Sequence, residues 1–470
     1  MSSIVWREPE WIARSDPPGT LIRILAPTSR THVSRQISVI GTGYLGAVHA
    51  VGMAELGYSV VGIDIDASKI AALQEGHAPF YEPDLDPLLR KHVDGGRLRF
   101  STEMTDAAHA DVHFVCVSTP QRHDGLAADL TNLETAIDAL AAVLRRPCLV
   151  VGKSTVPVGT AGRLAARLVE VAPVGEGAEL AWNPEFLREG LAIEDTLHPD
   201  RLVFGVQSEG AERTLRAIYA PVIAADVPVV VTDFQTAELV KASANAFLAT
   251  KISFINAMAE ICEVTGADVT QLADALGHDP RIGRRFLNAG VGFGGGCLPK
   301  DIRAFIARAG EIGAGQSLAF LAEVDAVNLR RRERVAEIAG ELLGGVVAGK
   351  RVAVLGAAFK PNSDDVRDSP ALTVAGQLHL QGAHVTVHDP KAIDNARRLF
   401  PTLDYAETGI AACRDADLVL HLTEWPEYRE IDPEVLGAVV ASRNVVDGRN
   451  RLDRAAWRAA GWTYRGLGRP

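Results

Sequence analysis

The sequence predicts an α/β protein: two doubly wound parallel-sheet domains joined by a long central helix and a helical connector. Three observations carry this. From Gln36, apolar strands alternate with helical segments, the mark of a parallel sheet covered on both faces. Near Asp233 the alternation stops, and about thirty residues run without proline or glycine to Gly266. At Lys350 the alternation restarts. A chain of 470 residues has room for roughly three domains. The expected divisions are a tail (1–34), a first α/β domain (35–232), a helical region (233–348) and a second α/β domain (349–470).

The tail carries Pro17, Pro18 and Pro27 and no clear period, so a flexible segment is expected. "QISVI" is a strand, followed by a glycine turn, a helix and a second strand ending in Asp64. Further strands are expected in "DVHFVCVST", "CLVVGKST", "ELAWNPE" and "RLVFGV". Leu239, Ala242, Ala246, Ile252, Ile255, Met258 and Ile261 recur at helical spacing and define one long helix, a candidate dimer surface. "KRVAVLGAAFK", "GAHVTVHDP", "DADLVLHLTEW" and "RNVVDGRN" repeat the strand pattern in degenerate form.

Composition excludes several classes. Asp plus Glu (59) exceed Lys plus Arg (48), giving a net charge of −11. An acidic excess argues against nucleic acid or an anionic membrane as partner. No apolar run approaches the ~18–20 residues that span a bilayer. The N-terminus has no apolar signal region, so a soluble cytoplasmic protein is expected. The five cysteines form no CxxC pair, which speaks against a disulfide framework or a zinc site, and no metal is expected.

Gly41-Thr42-Gly43-Tyr44-Leu45-Gly46 fits GxGxxG between a strand and a helix, with Asp64 23 residues after Gly41. Gly41 suits the tight turn, Gly43 the close approach of a pyrophosphate, and Gly46 the packing of helix on strand. Asp64 would accept the ribose hydroxyls and repel a 2′-phosphate, so NAD is the expected cofactor. The second turn, from Gly356, has Ala357 and Ala358 where the pattern wants glycine, so no second dinucleotide is expected there. Lys360 and Arg449 are candidates for a phosphate.

"NAGVGFGGGCLPKD" (288–301) is the most unusual segment. Pro299 suits the first position of a helix. Cys297 then lies at a helix N-terminus, where the dipole and Lys300 are expected to lower its thiol pKa. That makes it a candidate nucleophile. Lys241 and Asn245 stand four apart on the long helix and share a face. Glu185 and Glu189 have the same spacing, and share a face if a helix starts there. Ser154 and Thr155 close a strand where α/β ligand clefts form.

Together "IGTGYLG", "STP", "KSTVP", "NPEFLREG", "ELVKASANAFLATKISFINA", the glycine-cysteine loop, "GAAFK", "VRDSP" and "DGRN" resemble the UDP-glucose/GDP-mannose dehydrogenase family, over about residues 35–467. The resemblance implies two Rossmann-like domains. It also implies NAD-dependent four-electron oxidation of a sugar C6 alcohol, UDP-glucose foremost, through a thiohemiacetal and thioester on Cys297. It gives Lys241 and Asn245 the oxyanion, Lys241 also a part in the first proton transfer, and Asp301, Glu185 and Thr155 the water. It places Gly41, Gly43, Gly46, Asp64, Lys69, Thr119, Thr155, Glu189, Lys300 and Arg367 at the cofactor. Glu185, Leu187, Lys241, Asn245, Phe293, Gly294, Phe359, Lys360 and Arg449 are implied at the nucleotide sugar. Arg281 is implied to reach a neighbouring subunit's site in a homodimer. Gly296 stands where many relatives have serine, and added flexibility is the expectation. The same chemistry on GDP-mannose or a UDP-N-acetylhexosamine is the alternative. A two-electron hydroxyacid dehydrogenase would need no nucleophile, and a non-catalytic NAD-binding scaffold would not need to keep Cys297, Lys241 and Asp301.

Overall fold

A computed structural model describes residues 35–469. The tail expected over residues 1–34 lies outside the described residues.

Eight strands form the first sheet: β1 (Gln36–Ile40), β2 (Ser59–Ile63), β3 (Leu98–Ser101), β4 (Val112–Val115), β5 (Cys148–Gly152), β6 (Ala178–Trp182), β7 (Leu202–Gly205) and β8 (Val229–Thr232). Their order is β3-β2-β1-β4-β5-β6-β7-β8. The second sheet contains β9 (Arg351–Leu355), β10 (His384–His388), β11 (Asp404–Tyr405), β12 (Leu418–His421), β13 (Asn444–Asp447) and β14 (Thr463–Gly466). Its order is β11-β10-β9-β12-β13-β14. Both sheets therefore repeat the 3-2-1-4-5-6 order of a dinucleotide-binding fold. The chain reverses direction across the sheet between β1 and β4, and again between β9 and β12. Loops at the C-terminal ends of these strands open into crevices there.

β4, β5, β9, β12 and β13 are buried nearly throughout, which is why they read as mostly apolar runs. The expectation of parallel strands holds except at one place, where β6 and β7 pair antiparallel through Trp182 and Gly205. An antiparallel neighbour begins at the edge where its predecessor ends. The loop from Asn183 and the short helix Ala192–Leu197 suffice to make that return. β3, β8, β11 and β14 are short, and sequence reasoning did not separate them.

The long helix runs Phe234–Thr265, 32 residues, about 48 Å at 1.5 Å per residue. Asp233 caps its start by accepting the Thr236 N–H at 2.7 Å, and Gly266 ends it in the left-handed region at φ 77°. Helices Leu298–Glu311 and Phe320–Leu342 pack beside it around Ala246, Ala249, Phe293, Ile302 and Leu321. Pro299 occupies the second helical position rather than the first, because the helix begins at Leu298. The missing proline N–H is one of the unsatisfied donors of the first turn in either place.

The GxGxxG turn takes the shape its residues predict. Gly41 sits at φ +86°, and a Cβ on Gly46 would lie 1.8 Å from the Gly41 carbonyl oxygen. Gly46→Val should therefore cost about 1–3 kcal/mol by forcing helix from strand. The urea unfolding midpoint reads this, and an unchanged midpoint would remove the packing role.

Candidate active site

The cofactor side is built on β1, β2, β4 and β5. A Cβ on Gly43 would meet nothing within 4 Å, so the backbone beside the start of helix Tyr44–Glu55 is open to a ligand. Asp64 follows β2 and is 9% exposed. Its carboxylate accepts Thr42 N–H at 2.8 Å, Asp66 N–H at 3.1 Å and the Lys69 ammonium at 2.9 Å. Burial alone would raise its pKa, but Lys69 and the two backbone donors outweigh this and hold it below its ordinary value. The carboxylate stays charged at a turn built for phosphate, so these residues fit a dinucleotide with a free ribose 2′-hydroxyl. Thr119 donates to the Thr155 carbonyl at 2.8 Å. Thr119, Thr155, Lys300 and Asp301 line one cleft of about 440 Å³.

The glycine loop before Cys297 is held from outside. Asn256, fully buried on the long helix, accepts Gly290 N–H at 2.9 Å. Asn328, also fully buried, accepts Phe293 N–H at 2.7 Å and donates to the Phe293 carbonyl at 3.0 Å. Arg332 donates to the same carbonyl at 3.0 Å. Gly295 N–H donates to the Arg367 carbonyl at 2.9 Å. A Cβ on Gly294 would stand 2.1 Å from the Asp368 carbonyl oxygen, so loop and second lobe meet backbone to backbone. A Cβ on Gly296 would lie 2.2 Å from the Arg367 guanidinium carbon, the mobile end of a long side chain that can move aside, so space alone does not require glycine there.

Charged groups surround the cysteine. Lys241, 5% exposed, forms a 3.0 Å ion pair with Glu185, which also accepts Leu187 N–H at 2.8 Å. Burial by itself would lower the Lys241 pKa. Glu185, Cys297 and Asp301 outweigh it, so the ammonium is held above its ordinary value. Lys241 is therefore a lasting cation, suited to an oxyanion and not to accepting the first proton. Asn245 donates to Asp301 at 2.7 Å, and Lys300 pairs with the other Asp301 oxygen. The expected helical face is real: it delivers Lys241 to one carboxylate and Asn245 to another.

Cys297 lies at the N-cap of helix Leu298–Glu311 and reaches solvent. The expectation of a lowered thiol pKa is overturned. Crowding by protein atoms pushes it up to about 12, Asp301 and Glu185 add to this, and Lys241 and Lys300 oppose it. A side chain on a cleft floor can touch water and still lack the hydration a thiolate needs. The resting group is the neutral thiol.

Glu185 and Glu189 do not share a helical face, because residues 183–189 are irregular. Pro184 and the backbone N–H bond to Glu185 favour the extended loop. Glu189 instead faces the second lobe. It accepts the Ser363 hydroxyl at 3.1 Å and lies 3.6 Å from Arg367, itself paired with Asp365. Burial and Asp365 raise its pKa to about 7. The Lys360 ammonium lies 5.2 Å over the Phe359 ring. Arg449 braces three segments, donating to the carbonyls of Leu422 at 2.7 Å, Gly292 at 3.1 Å and Phe359 at 3.0 Å. It therefore shapes the crevice, leaving Lys360 as the more available cation for a phosphate. Arg281 stands apart, 87% exposed and paired with Asp279.

Sequence reasoning missed several contributors. Glu82 accepts Gly190 N–H at 2.6 Å and Ala192 N–H at 2.7 Å, and takes the Tyr44 hydroxyl proton donor as well. It ties the GxGxxG helix to the loop bearing Glu189. The Phe186 ring meets two cations, Arg201 at 3.8 Å and Lys241 at 5.5 Å from its centre. Lys153 is buried at the end of β5; its only sequence signal was a lysine closing an apolar strand.

These features define a nicotinamide-dinucleotide oxidoreductase with a cysteine in its cleft. Family models match in series: the NAD binding domain of the UDP-glucose/GDP-mannose dehydrogenase family at residues 35–223, its central domain at 235–330 and its UDP binding domain at 353–454. The chain belongs to the UDP-glucose/GDP-mannose dehydrogenase family, and its cofactor is NAD. It is 41% identical to a UDP-glucose 6-dehydrogenase of Rhizobium meliloti, over 93% of this chain and 100% of that one. It is 42% identical to the Bacillus subtilis UDP-glucose 6-dehydrogenase TuaD, over 93% and 94%. A UDP-glucose dehydrogenase structure from Pyrobaculum islandicum superposes with a TM-score of 0.87 at 39% identity, covering 95% of this chain and 100% of that one.

With a thiol pKa near 12, Cys297 should react with iodoacetamide at neutral pH at least about tenfold more slowly than an ordinary free thiol. The rate should keep rising as pH increases past 9. Peptide mapping of alkylated Cys297 reads this, and fast labelling at neutral pH would refute the neutral thiol.

Proposed function

We propose that the chain oxidises the C6 alcohol of UDP-glucose to the carboxylate, using two NAD per turnover. The observation that carries this is the meeting of Cys297 with the Lys241–Glu185 and Asn245–Asp301 pairs beside a dinucleotide turn. The assignment of UDP-glucose follows the relatives of about 40% identity. Residues 35–232 are assigned to NAD, 233–348 to the central region and 349–470 to the nucleotide sugar.

When bound, NAD accepts a hydride from C6 at each oxidation. The protein does the rest. Lys241 and Asn245 donate to the C6 oxygen as negative charge develops on it; such preorganised donors contribute about 3–4 kcal/mol each. A carboxylate, Asp301 or Glu185, takes the hydroxyl proton through water. The Cys297 thiol then adds to the aldehyde carbon, its proton passing by way of Asp301 to the aldehyde oxygen, and a thiohemiacetal forms. The second oxidation leaves a thioester on Cys297. Thr155, Glu185 and Asp301 position the water that cleaves it. A neutral thiol suits this order, because it is deprotonated only as the aldehyde is captured.

The partner we propose is a second copy of this chain. Phe247, Phe254 and Ile261, seven residues apart on one helix face, are 65%, 49% and 54% exposed. Arg281, unused within its own subunit's site, would enter the neighbour's. No helix among the described residues is long and apolar enough to cross a membrane, and the five free cysteines fit a reducing cytoplasm.

Purified protein should form two NADH per UDP-glucose consumed, with GDP-mannose and UDP-N-acetylglucosamine turned over poorly. One NADH per sugar would sink the four-electron mechanism. Cys297→Ala should abolish carboxylate formation. Glu185→Gln should accumulate a covalent sugar adduct by intact mass; full turnover in Cys297→Ala ends the proposal. Mixing Arg281→Ala with Cys297→Ala subunits should restore part of the activity through hybrid dimers. No complementation would argue against a shared site.

A further inference from the structure

The proposed reaction is a source of protons. One alcohol, two NAD⁺ and one water give one carboxylate, two NADH and three H⁺. These protons arise at Glu185 and Asp301, whose side chains are only 14% and 3% exposed. The cleft lined by Thr155, Lys300 and Asp301 is the one the proposed ligands fill.

A second cleft, of about 560 Å³, borders Glu185. Its lining includes His49, Lys153, Asn183, Tyr219 and the exposed Asp200. Glu185 and Leu187 are the two lining residues that it shares with the proposed ligand contacts; these five are not among them. Lys153 is 6% exposed, and its ammonium has only neutral partners: the Asn183 side-chain oxygen at 3.0 Å, the Asn183 carbonyl at 3.3 Å and the Tyr219 hydroxyl at 3.4 Å. Among the described residues it forms no ion pair with a carboxylate. Two residues beyond Asn183 stands Glu185. His49 is 3% exposed, and its Nε2 has no hydrogen-bond partner among the described residues. A cleft open to solvent, with Lys153 and this unsatisfied ring nitrogen on its wall, holds water in solution.

We propose that this second cleft is the exit path for the reaction's protons, with Lys153 as the relay between Glu185 and the water that fills it. The inference rests on the dehydrogenase reading above. The groups facing Lys153 come from every neighbouring element: His49 from the first helix, Cys116 after β4, Glu185 after β6, Tyr219 beyond β7 and Lys241 from the long helix. Burial lowers the Lys153 pKa to about 8, with Cys116 and Glu185 opposing and Lys241 assisting. A lysine poised there can take and release a proton near neutral pH, which an ordinary surface lysine does poorly.

The test compares Lys153→Met, Lys153→Arg and Asp200→Trp in the full-length protein. Asp200 is exposed at the open side of the cleft, so a tryptophan there obstructs the exit without disturbing the core. Lys153→Met should lower kcat about tenfold or more with KM for both substrates little changed, and should enlarge the solvent deuterium isotope effect. Added methylamine should restore part of the rate. Lys153→Arg keeps the positive charge but cannot release a proton, so it should stay slow. Asp200→Trp should show the same isotope signature in milder form. Wild-type kcat in Lys153→Met or Lys153→Arg would overturn the relay. Should Lys153→Met fail to fold, an unaltered rate and isotope effect in Asp200→Trp would overturn the exit path. Absence of NADH formation in the unmodified protein would instead strike the dehydrogenase reading itself.

Discussion

Everything at the reactive centre depends on a loop that cannot hold itself. Residues 290–296 are glycines, a valine and one phenylalanine, so they offer almost no side chains with which to fix their own conformation. The surrounding elements supply the missing bonds. Asn256 and Asn328 reach in from the helices, Arg332 shares the Phe293 carbonyl, and Arg449 clamps Gly292 from the second sheet. Leaving such buried amides unpaired would cost roughly 1–3 kcal/mol each, so the loop is tied to both lobes at once. A nucleophile on a loop becomes precise only when its support is rigid. The glycines are the price of close approach, and the buried asparagines compensate for them.

The same crowding explains the electrostatics. Two cations, Lys241 and Lys300, and two carboxylates, Glu185 and Asp301, act on one thiol. Desolvation acts most strongly, the two carboxylates outweigh the two cations, and both effects favour the neutral form. Helix-dipole reasoning from sequence had the opposite sign because it counted the N-terminus and Lys300 but not the carboxylates that fold brings in. Lys241 shows the converse. It is more buried than Cys297, yet three negative or potentially negative neighbours keep it charged. One compact cluster thus holds a permanent cation beside a thiol that ionises only on demand.

Much of this was legible in the sequence, and the exceptions have a common cause. Period and turn residues marked the long helix and both sheets, since they report local preference and burial together. The tight turn at Gly41 and the close packing at Gly46 were legible because each glycine answers a separate local requirement. The strands β3, β8, β11 and β14 were not separable, because they are short and only partly buried at the sheet edges and so lack a continuous apolar run. Lys153, Glu82, Asn328 and Phe186 were missed because their meaning lies in distant partners. Lys153 gains its character from Asn183 and Tyr219, 30 and 66 positions away. The roles of Glu185 and Glu189 separated for a related reason: an equal spacing implies a shared face only where the backbone is helical.

The two sheets share one strand order but use the residue after the second strand differently. Asp64 keeps a carboxylate 9% exposed at an open glycine turn. Its counterpart Asp389 is 1% exposed, and its oxygens accept the N–H groups of Ala357, Ala358, Lys391 and Ala392 and the Trp425 indole. A carboxylate so occupied cannot also receive a ribose. The second turn has therefore become a structural knot, and its ligand-facing charge has moved along the chain to Lys360. Duplicated topology and divided labour are compatible because the fold fixes where a crevice opens, while a few hydrogen bonds decide what remains free inside it.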